Sequence, residues 1–193
     1  MRKIERADVR DIIEYEKARD GFRRRIIDLK KRRRVGVGRN LTFVFENRDT
    51  MIFQIQEMMR AERIVHEERI ADEIEVYNTL IPDENELSAT LLIEITDQRR
   101  IKPVLDRLMG LDEPERVWLQ FGGERVYAAF EEGRSNEEKI SAVHFVRFPF
   151  TEGQVRRFRS GEDTAYLCID HPNYKRRAKI APEVRASLEE DLA

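Results

Sequence analysis

The chain has 193 residues, 40% of them hydrophobic and 38% charged, whereas an average soluble domain carries about 25% charged residues. Its 36 basic and 38 acidic residues nearly cancel to a formal charge of −2, which excludes a uniformly basic nucleic-acid coat and a uniformly acidic tail. A single cysteine, Cys168, excludes an intrachain disulfide and a thiolate-rich zinc or iron–sulfur site within one chain, and no apolar run reaches the roughly 18 residues that cross a bilayer.

Residues 10–33 contain one glycine and no proline, with Ile12, Ile13, Tyr15, Phe22, Ile26, Ile27 and Leu29 mostly at helical spacing. That predicts one long helix, or two short ones broken near Gly21. Val35 and Val37, then Leu41, Phe43 and Phe45, flank a Gly38-Arg39-Asn40 turn and predict a β-hairpin with a short second strand. Gly36-Val37-Gly38 is read as a turn, because it lacks the third glycine of a dinucleotide fingerprint and the Gly-Lys-Ser/Thr of a P-loop. Asn47 or Asp49 can cap the next segment, apolar at Met51, Ile52, Ile55, Met58, Met59, Ile64 and Val65 and onward through Ile70, Ile74 and Tyr77. The pattern predicts a helical region that ends at Pro82 and bends near His66.

The polar loop Pro82-Asp83-Glu84-Asn85-Glu86 separates an N-terminal helical layer with its hairpin (1–82) from a sheet-rich part (83–193), both within a single α+β domain. Strands are predicted at 91–95, 117–121, 125–130, 140–148 and 165–169, and helices at 97–109, 152–159 and 182–192. Gly122-Gly123 between apolar runs is a hairpin signal, since glycine takes positive φ without steric cost. Hairpin-joined strands without strict strand–helix alternation favour a mostly antiparallel sheet, with an N-terminal long-helix layer and a C-terminal helix, over a doubly wound parallel one.

Three groups of residues could carry chemistry. The first is basic: Arg23, Arg24, Arg25, Lys30, Lys31, Arg32, Arg33, Arg34 and Arg39, opposed between 23 and 39 only by Asp28. Arginine forks match phosphate oxygens, which makes Arg32, Arg33, Arg34 and Arg39 candidates for an anion or a nucleic acid. The competing reading is internal: residues 40–80 hold nine acids against four arginines and can answer the basic segment, or an acidic protein partner can. Aromatic interleaving, the mark of a single-strand binder, is poor there, with only Phe22 inside the basic run.

The second group is metal-like. His144, Asp170 and His171, with Cys168 nearby, offer mixed ligands for zinc or iron or a Cys–His nucleophile pair, and Glu62 and His66 lie four apart on a predicted helix. Against this, Cys168 sits between core-like Leu167 and Ile169, Asp170 can serve as a loop cap, and the repeated Glu-x-x-His of di-iron bundles is absent. The third group is polar, at the hairpin-to-helix junction: Glu46, Asn47, Arg48, Gln54, Gln56, Glu57, Arg60, Glu62 and Arg63. Of these, Arg48, Gln56, Glu57, Arg60, Glu62 and Arg63 are candidate ligand-binding residues, while a buried hydrogen-bonded network joining helix to sheet explains the same set.

Several strings carry a resemblance: Arg33-Arg34-Val35-Gly36-Val37-Gly38, Leu41-Thr42-Phe43-Val44-Phe45-Glu46-Asn47-Arg48, Gln54-Ile55-Gln56-Glu57-Met58-Met59-Arg60-Ala61-Glu62-Arg63, Tyr77-Asn78-Thr79-Leu80-Ile81-Pro82, Ala89-Thr90-Leu91, Val143-His144-Phe145 and Ile169-Asp170-His171-Pro172. With these, nearly the whole chain resembles a bacterial family designated domain of unknown function 3501. The resemblance brings no assigned activity, catalytic residue or cofactor. It implies a genomic setting beside rubrerythrin-like and iron–sulfur oxidoreductase proteins, hence an accessory role in redox or iron-linked metabolism. The chain lacks the cysteines and the di-iron motif to perform that chemistry itself.

The first expectation is therefore a cytoplasmic, non-catalytic protein that binds a partner protein or a small anionic ligand, with a homodimer through the Met-rich helix as an option and no membrane partner. Two alternatives stand beside it: a metal-dependent enzyme using the His/Asp cluster, and nucleic-acid binding through the arginine-rich segment 23–39.

Overall fold

Asp11 opens α1 (Ile12–Lys31) by accepting a hydrogen bond from the Glu14 amide. The helix passes unbroken through Gly21, where an added Cβ would meet nothing within 4 Å, so packing demands no break there. The structure, a computed structural model, describes residues 1–131, 133 and 140–192. After α1 the chain forms β1 (Arg34–Val37) and β2 (Leu41–Glu46), joined by the expected Gly38-Arg39-Asn40 turn. The second strand is the longer one, contrary to expectation, because it is paired on both sides and every one of its residues is buried.

Asn47 caps α2 (Arg48–Glu62) in a reciprocal exchange with Thr50. Arg63, at φ 52°, then turns the chain left-handed, and α3 (Glu67–Asn78) starts anew after His66. Two helices thus replace the single bent one, and Glu62 and His66 do not share a helix face. Beyond them come β3 (Glu86–Ile93), a short 3-10 turn leading into α4 (Ile101–Arg107), β4 (Val117–Phe121), β5 (Glu124–Tyr127), β6 (Ala129–Phe130) and β7 (Val143–Pro149). The chain then forms α5 (Glu152–Ser160), β8 (Ala165–His171), β9 (Tyr174–Lys179) and α6 (Pro182–Glu189).

Every strand pairing is antiparallel, and the strands divide into two sheets, β1-β2-β3-β7-β6 and β5-β4-β8-β9. The single strand expected at 125–130 is split at Ala128: β5 completes one sheet and β6 begins the edge of the other. Between the sheets lies the main core, with Phe43, Phe45, Leu91 and Phe148 from the first and Leu119, Phe121, Leu167 and Ile169 from the second. Phe158 of α5 and Leu188 of α6 join it, and Phe121, Phe150 and Phe158 pack ring to ring at 5.2–6.0 Å between centroids.

A second apolar cluster forms from α2, α3 and the N-terminal segment, with Met51, Ile55, Met59, Ile70 and Ile4 at its centre. Phe145, whose strand neighbours Val146 and His144 are buried toward the sandwich, packs against this helical layer instead. In the Met-rich helix, Met51 and Met59 are buried within the chain and Met58 packs on the same cluster. No described helix is long and apolar enough to cross a membrane.

Candidate functional site

Three connections meet beside the edge of the sandwich: the β1–β2 turn, the C-terminal end of α4 and the tight β8–β9 turn at Pro172-Asn173. Gly38 has φ +70°, and a Cβ there would collide with the Tyr174 hydroxyl, so this turn requires glycine on both backbone and steric grounds. The absent side chain makes room for Tyr174, whose hydroxyl donates to the Val37 carbonyl at 2.6 Å and accepts from the Arg39 amide at 3.1 Å. On the far side, the Asn173 amide side chain donates to the Arg107 carbonyl at 3.1 Å, and its backbone N–H donates to Nδ1 of His171 at 3.2 Å. Nε2 of His171 lies 2.8 Å from the Met109 carbonyl; a carbonyl only accepts, so this nitrogen carries the proton.

These bonds fix the backbone around a cleft of about 370 Å³. Arg39, Arg100, Arg107 and Arg176 line it together with Asn40, Asn173 and Tyr174, and no carboxylate is among the lining residues. None of the four arginines makes an ion pair among the described residues; Arg176 lies over the Tyr174 ring, 5.8 Å from its centroid. An adjoining depression shares Arg39, Asn40 and Arg100 and ends at Glu94, Thr96 and Asp97. Hydrogen bonds from Thr42 and Arg34 hold the Glu94 carboxyl below its usual range, and Arg99 does the same for Asp97.

The basic segment read from the sequence is dispersed. Arg39 reaches the cleft. Arg32 is exposed at the end of α1, and Arg34 pairs with Glu94 at 2.7 Å. Arg33 is fully buried and bound to the carboxylate of Asp191 and to the carbonyls of Phe45, Glu46 and Ser187, so it offers nothing to a ligand arriving from outside.

The metal-like residues are kept apart. His144 faces the sandwich from β7, its Nε2 2.9 Å from the Ser141 carbonyl and its ring edge-on to Phe130. Both ring nitrogens of His171 are engaged in holding the β8–β9 turn. Asp170, one residue away and hence on the opposite strand face, is exposed and paired with Lys175 at 2.7 Å, which lowers its carboxyl pKa. Cys168 shares Asp170's face rather than that of His171, and burial pushes its thiol up. Among the described residues no three His, Cys, Asp or Glu side chains come together as a metal would need.

The helix-junction set is largely internal wiring, joining helix to helix. The Gln56 amide binds both N–H and carbonyl of Arg10 at 2.8 and 3.0 Å, and Glu57 takes both arms of Arg19 at 2.8 Å and the Tyr15 hydroxyl at 2.6 Å. Arg60 holds Glu16 at 2.6 Å, while Arg48 holds the Asp8 carboxyl at about 2, well below its ordinary value. Glu62 and Arg63 end α2 exposed to solvent. Sequence reasoning missed Arg100, Arg107 and Arg176 because they lie far apart in a chain that is charged everywhere. The available signal was the Gly38 turn beside Arg39 and the Pro172-Asn173 turn.

The model of a family described as "Protein of unknown function (DUF3501)" matches residues 3–192. A crystal structure of a protein of unknown function from Burkholderia pseudomallei is similar to this chain at 36% identity and a TM-score of 0.91, covering 100% of both chains. No match is found among curated proteins.

Proposed function

The chain belongs to the DUF3501 family, and from its arginine cleft we propose that it binds a small polyanion bearing phosphate or carboxylate groups, without catalysing its turnover. One observation carries this reading: four guanidinium groups line one cleft with no ion pair among the described residues, whereas Arg19, Arg33, Arg34, Arg48 and Arg60 each hold a carboxylate. Like charges gathered around one concave site repel one another, and an anion with several oxygens relieves that repulsion while accepting paired hydrogen bonds from these solvent-accessible guanidinium groups. The size of the cleft supports a small molecule, near the lower end of ordinary ligand pockets at roughly 300–1,000 Å³. Bonds from Tyr174, Asn173 and His171 set the surrounding backbone before any ligand arrives, which reduces the ordering cost of binding. We read the protein as cytosolic, where its one thiol stays reduced.

Titration calorimetry with pyrophosphate, tripolyphosphate and citrate tests the reading. Saturable binding that weakens with added salt is expected for at least one of them. Replacing Arg100 and Arg107 together by glutamine is expected to lower the affinity about 100-fold, taking roughly 1.5 kcal/mol for each charge-assisted hydrogen bond lost. The thermal midpoint without ligand should barely change, since neither guanidinium makes an ion pair among the described residues and Arg100 acts on Asp97 only as a minor charge beside Arg99. Absence of binding to all three anions, or unchanged affinity in the double variant, would overturn the proposal.

A further inference from the structure

The four-stranded sheet β5-β4-β8-β9 has one face in the main core, while the residues of its other face belong, among the described residues, to neither apolar cluster. Its register arranges that second face in rows. Tyr127, Trp118, Cys168 and Arg177 lie side by side across the four strands, and Arg125, Gln120, Tyr166 and Lys179 form the next row. Asp170 and Lys175 follow on the last two strands. Trp118, Tyr127 and Tyr166 are each partly exposed and belong to neither apolar cluster. They account for three of the chain's six tryptophan and tyrosine residues.

Two of the cations on this face are engaged with its rings. Arg125 lies over the Trp118 ring at 5.2 Å and Arg177 over the Tyr166 ring at 5.0 Å. The one carboxylate in the rows, Asp170, is neutralised by Lys175 at 2.7 Å. An ordinary solvated sheet face alternates small polar residues and charges of both signs; this one pairs flat aromatic surfaces with excess positive charge. Stacking rings and guanidinium planes recognise unstacked bases, while Arg and Lys at the strand edges answer phosphates. A duplex presents phosphates but no free base faces. We therefore propose that the outer face of this sheet binds single-stranded nucleic acid, with bases stacked on Trp118, Tyr127 and Tyr166 and the backbone held by Arg125, Arg177 and Lys179. The arginine cleft is a separate site, sharing only strand β9 with this face.

Trp118 is the only tryptophan, so its emission reports on this face alone. Labelled oligouridylate and oligodeoxyuridylate, titrated with the full chain at low salt, should gain anisotropy and quench Trp118 with one common midpoint, and tighter binding of either tells ribose from deoxyribose recognition. Tyr166→Ala is expected to weaken binding about 5- to 100-fold, the range for loss of one stacked base, whereas Tyr166→Phe keeps the ring and the affinity. Replacing Arg125 and Arg177 by glutamine should reduce the slope of log affinity against log salt by roughly 1.4. The Arg100, Arg107 double variant should bind the oligonucleotides unchanged, which separates failure of the cleft from failure of the sheet face. The proposal is overturned by no anisotropy change at low salt, by equal competition from duplex or from tripolyphosphate, or by unchanged affinity in Tyr166→Ala. Preferential binding of an acidic peptide over both oligonucleotides would also overturn it and reassign the face to a protein partner.

Discussion

Arg33→Ala is expected to destabilise the protein by about 3–5 kcal/mol, the range for breaking a buried ion pair from one side. Arg33 is 0% exposed and stands where the chain leaves α1 for the hairpin. Its Nε donates to the Phe45 carbonyl at 2.9 Å, Nη1 to the Ser187 carbonyl at 2.9 Å and hydroxyl at 3.1 Å, and Nη2 to the Glu46 carbonyl at 3.3 Å and to Asp191. One side chain therefore joins the end of β2 to α6 across a gap of more than a hundred residues in sequence. Its removal takes a donor away from three carbonyls and leaves the Asp191 carboxylate, itself 7% exposed, without Arg33 as counter-ion. Burial already pushes the Asp191 carboxyl up, against the pull of Arg33. The double variant Arg33→Met, Asp191→Leu, which removes both charges and keeps the volume, is accordingly expected to regain most of the loss. Urea unfolding at constant slope measures both; a single variant as stable as the parent would show that the pair contributes nothing.

That pair also marks where the sequence was readable and where it was not. Local chemistry was legible: Asn47, one of two cap candidates, the glycine turn before Arg39, the Gly122-Gly123 hairpin and Pro182 at a helix start all act within a few residues. Arg63 was not, because a non-glycine residue in left-handed backbone carries no sequence mark, and the expected long helix came out as two. Strand β9 was missed for a different reason. Tyr174-Lys175-Arg176-Arg177-Ala178-Lys179 lacks the alternating apolar pattern because it is a sheet edge with little to bury, and charge on an edge discourages further pairing. The same charge density hid both candidate surfaces. A run of nine cations in sequence drew attention to 23–39, yet folding buries Arg33, pairs Arg34 and leaves only Arg39 to meet Arg100, Arg107 and Arg176. Likewise, aromatic interleaving is poor within the basic run 23–39, whereas across strands register brings together Trp118, Tyr127 and Tyr166, which lie apart in sequence.

Glu57→Ala is expected to loosen α1 from the rest of the protein, at a cost of about 2 kcal/mol, and acid should do the same to the parent. α1 runs for 20 residues but buries only Tyr15 and Ile26, so apolar contact alone holds it weakly. Its polar attachment centres on Glu57 of α2, which receives both arms of Arg19 and the hydroxyl of Tyr15. Phe22 extends the contact, edge-on to Tyr15 at 6.2 Å and to Phe53 at 5.8 Å. The Arg19 hydrogen bonds, aided by Tyr15 and Arg60, hold the Glu57 carboxyl at about 2, below its ordinary 4.5. Burial, and then the Glu57 carboxylate, push the Tyr15 phenol up, so it stays a donor throughout the working range. A carboxyl whose folded value lies below its unfolded value stabilises fully above the unfolded pKa and progressively less as pH falls toward the folded one. The window is therefore from 4.5 down to about 2, and a partly exposed side chain, 27% accessible, reduces the nominal linkage energy to about 2 kcal/mol. Asp8, held at about 2 by Arg48 against an ordinary 3.8, titrates within that window and weakens the N-terminal segment together with α1. Hydrogen exchange should therefore show α1 amides losing protection between neutral pH and the bottom of that window, while β2, β3 and β8 in the sandwich stay protected. Glu57→Gln, which cannot ionise, should flatten the acid dependence of α1. The same fall in protection in that variant and in the parent would place the acid-sensitive contact elsewhere.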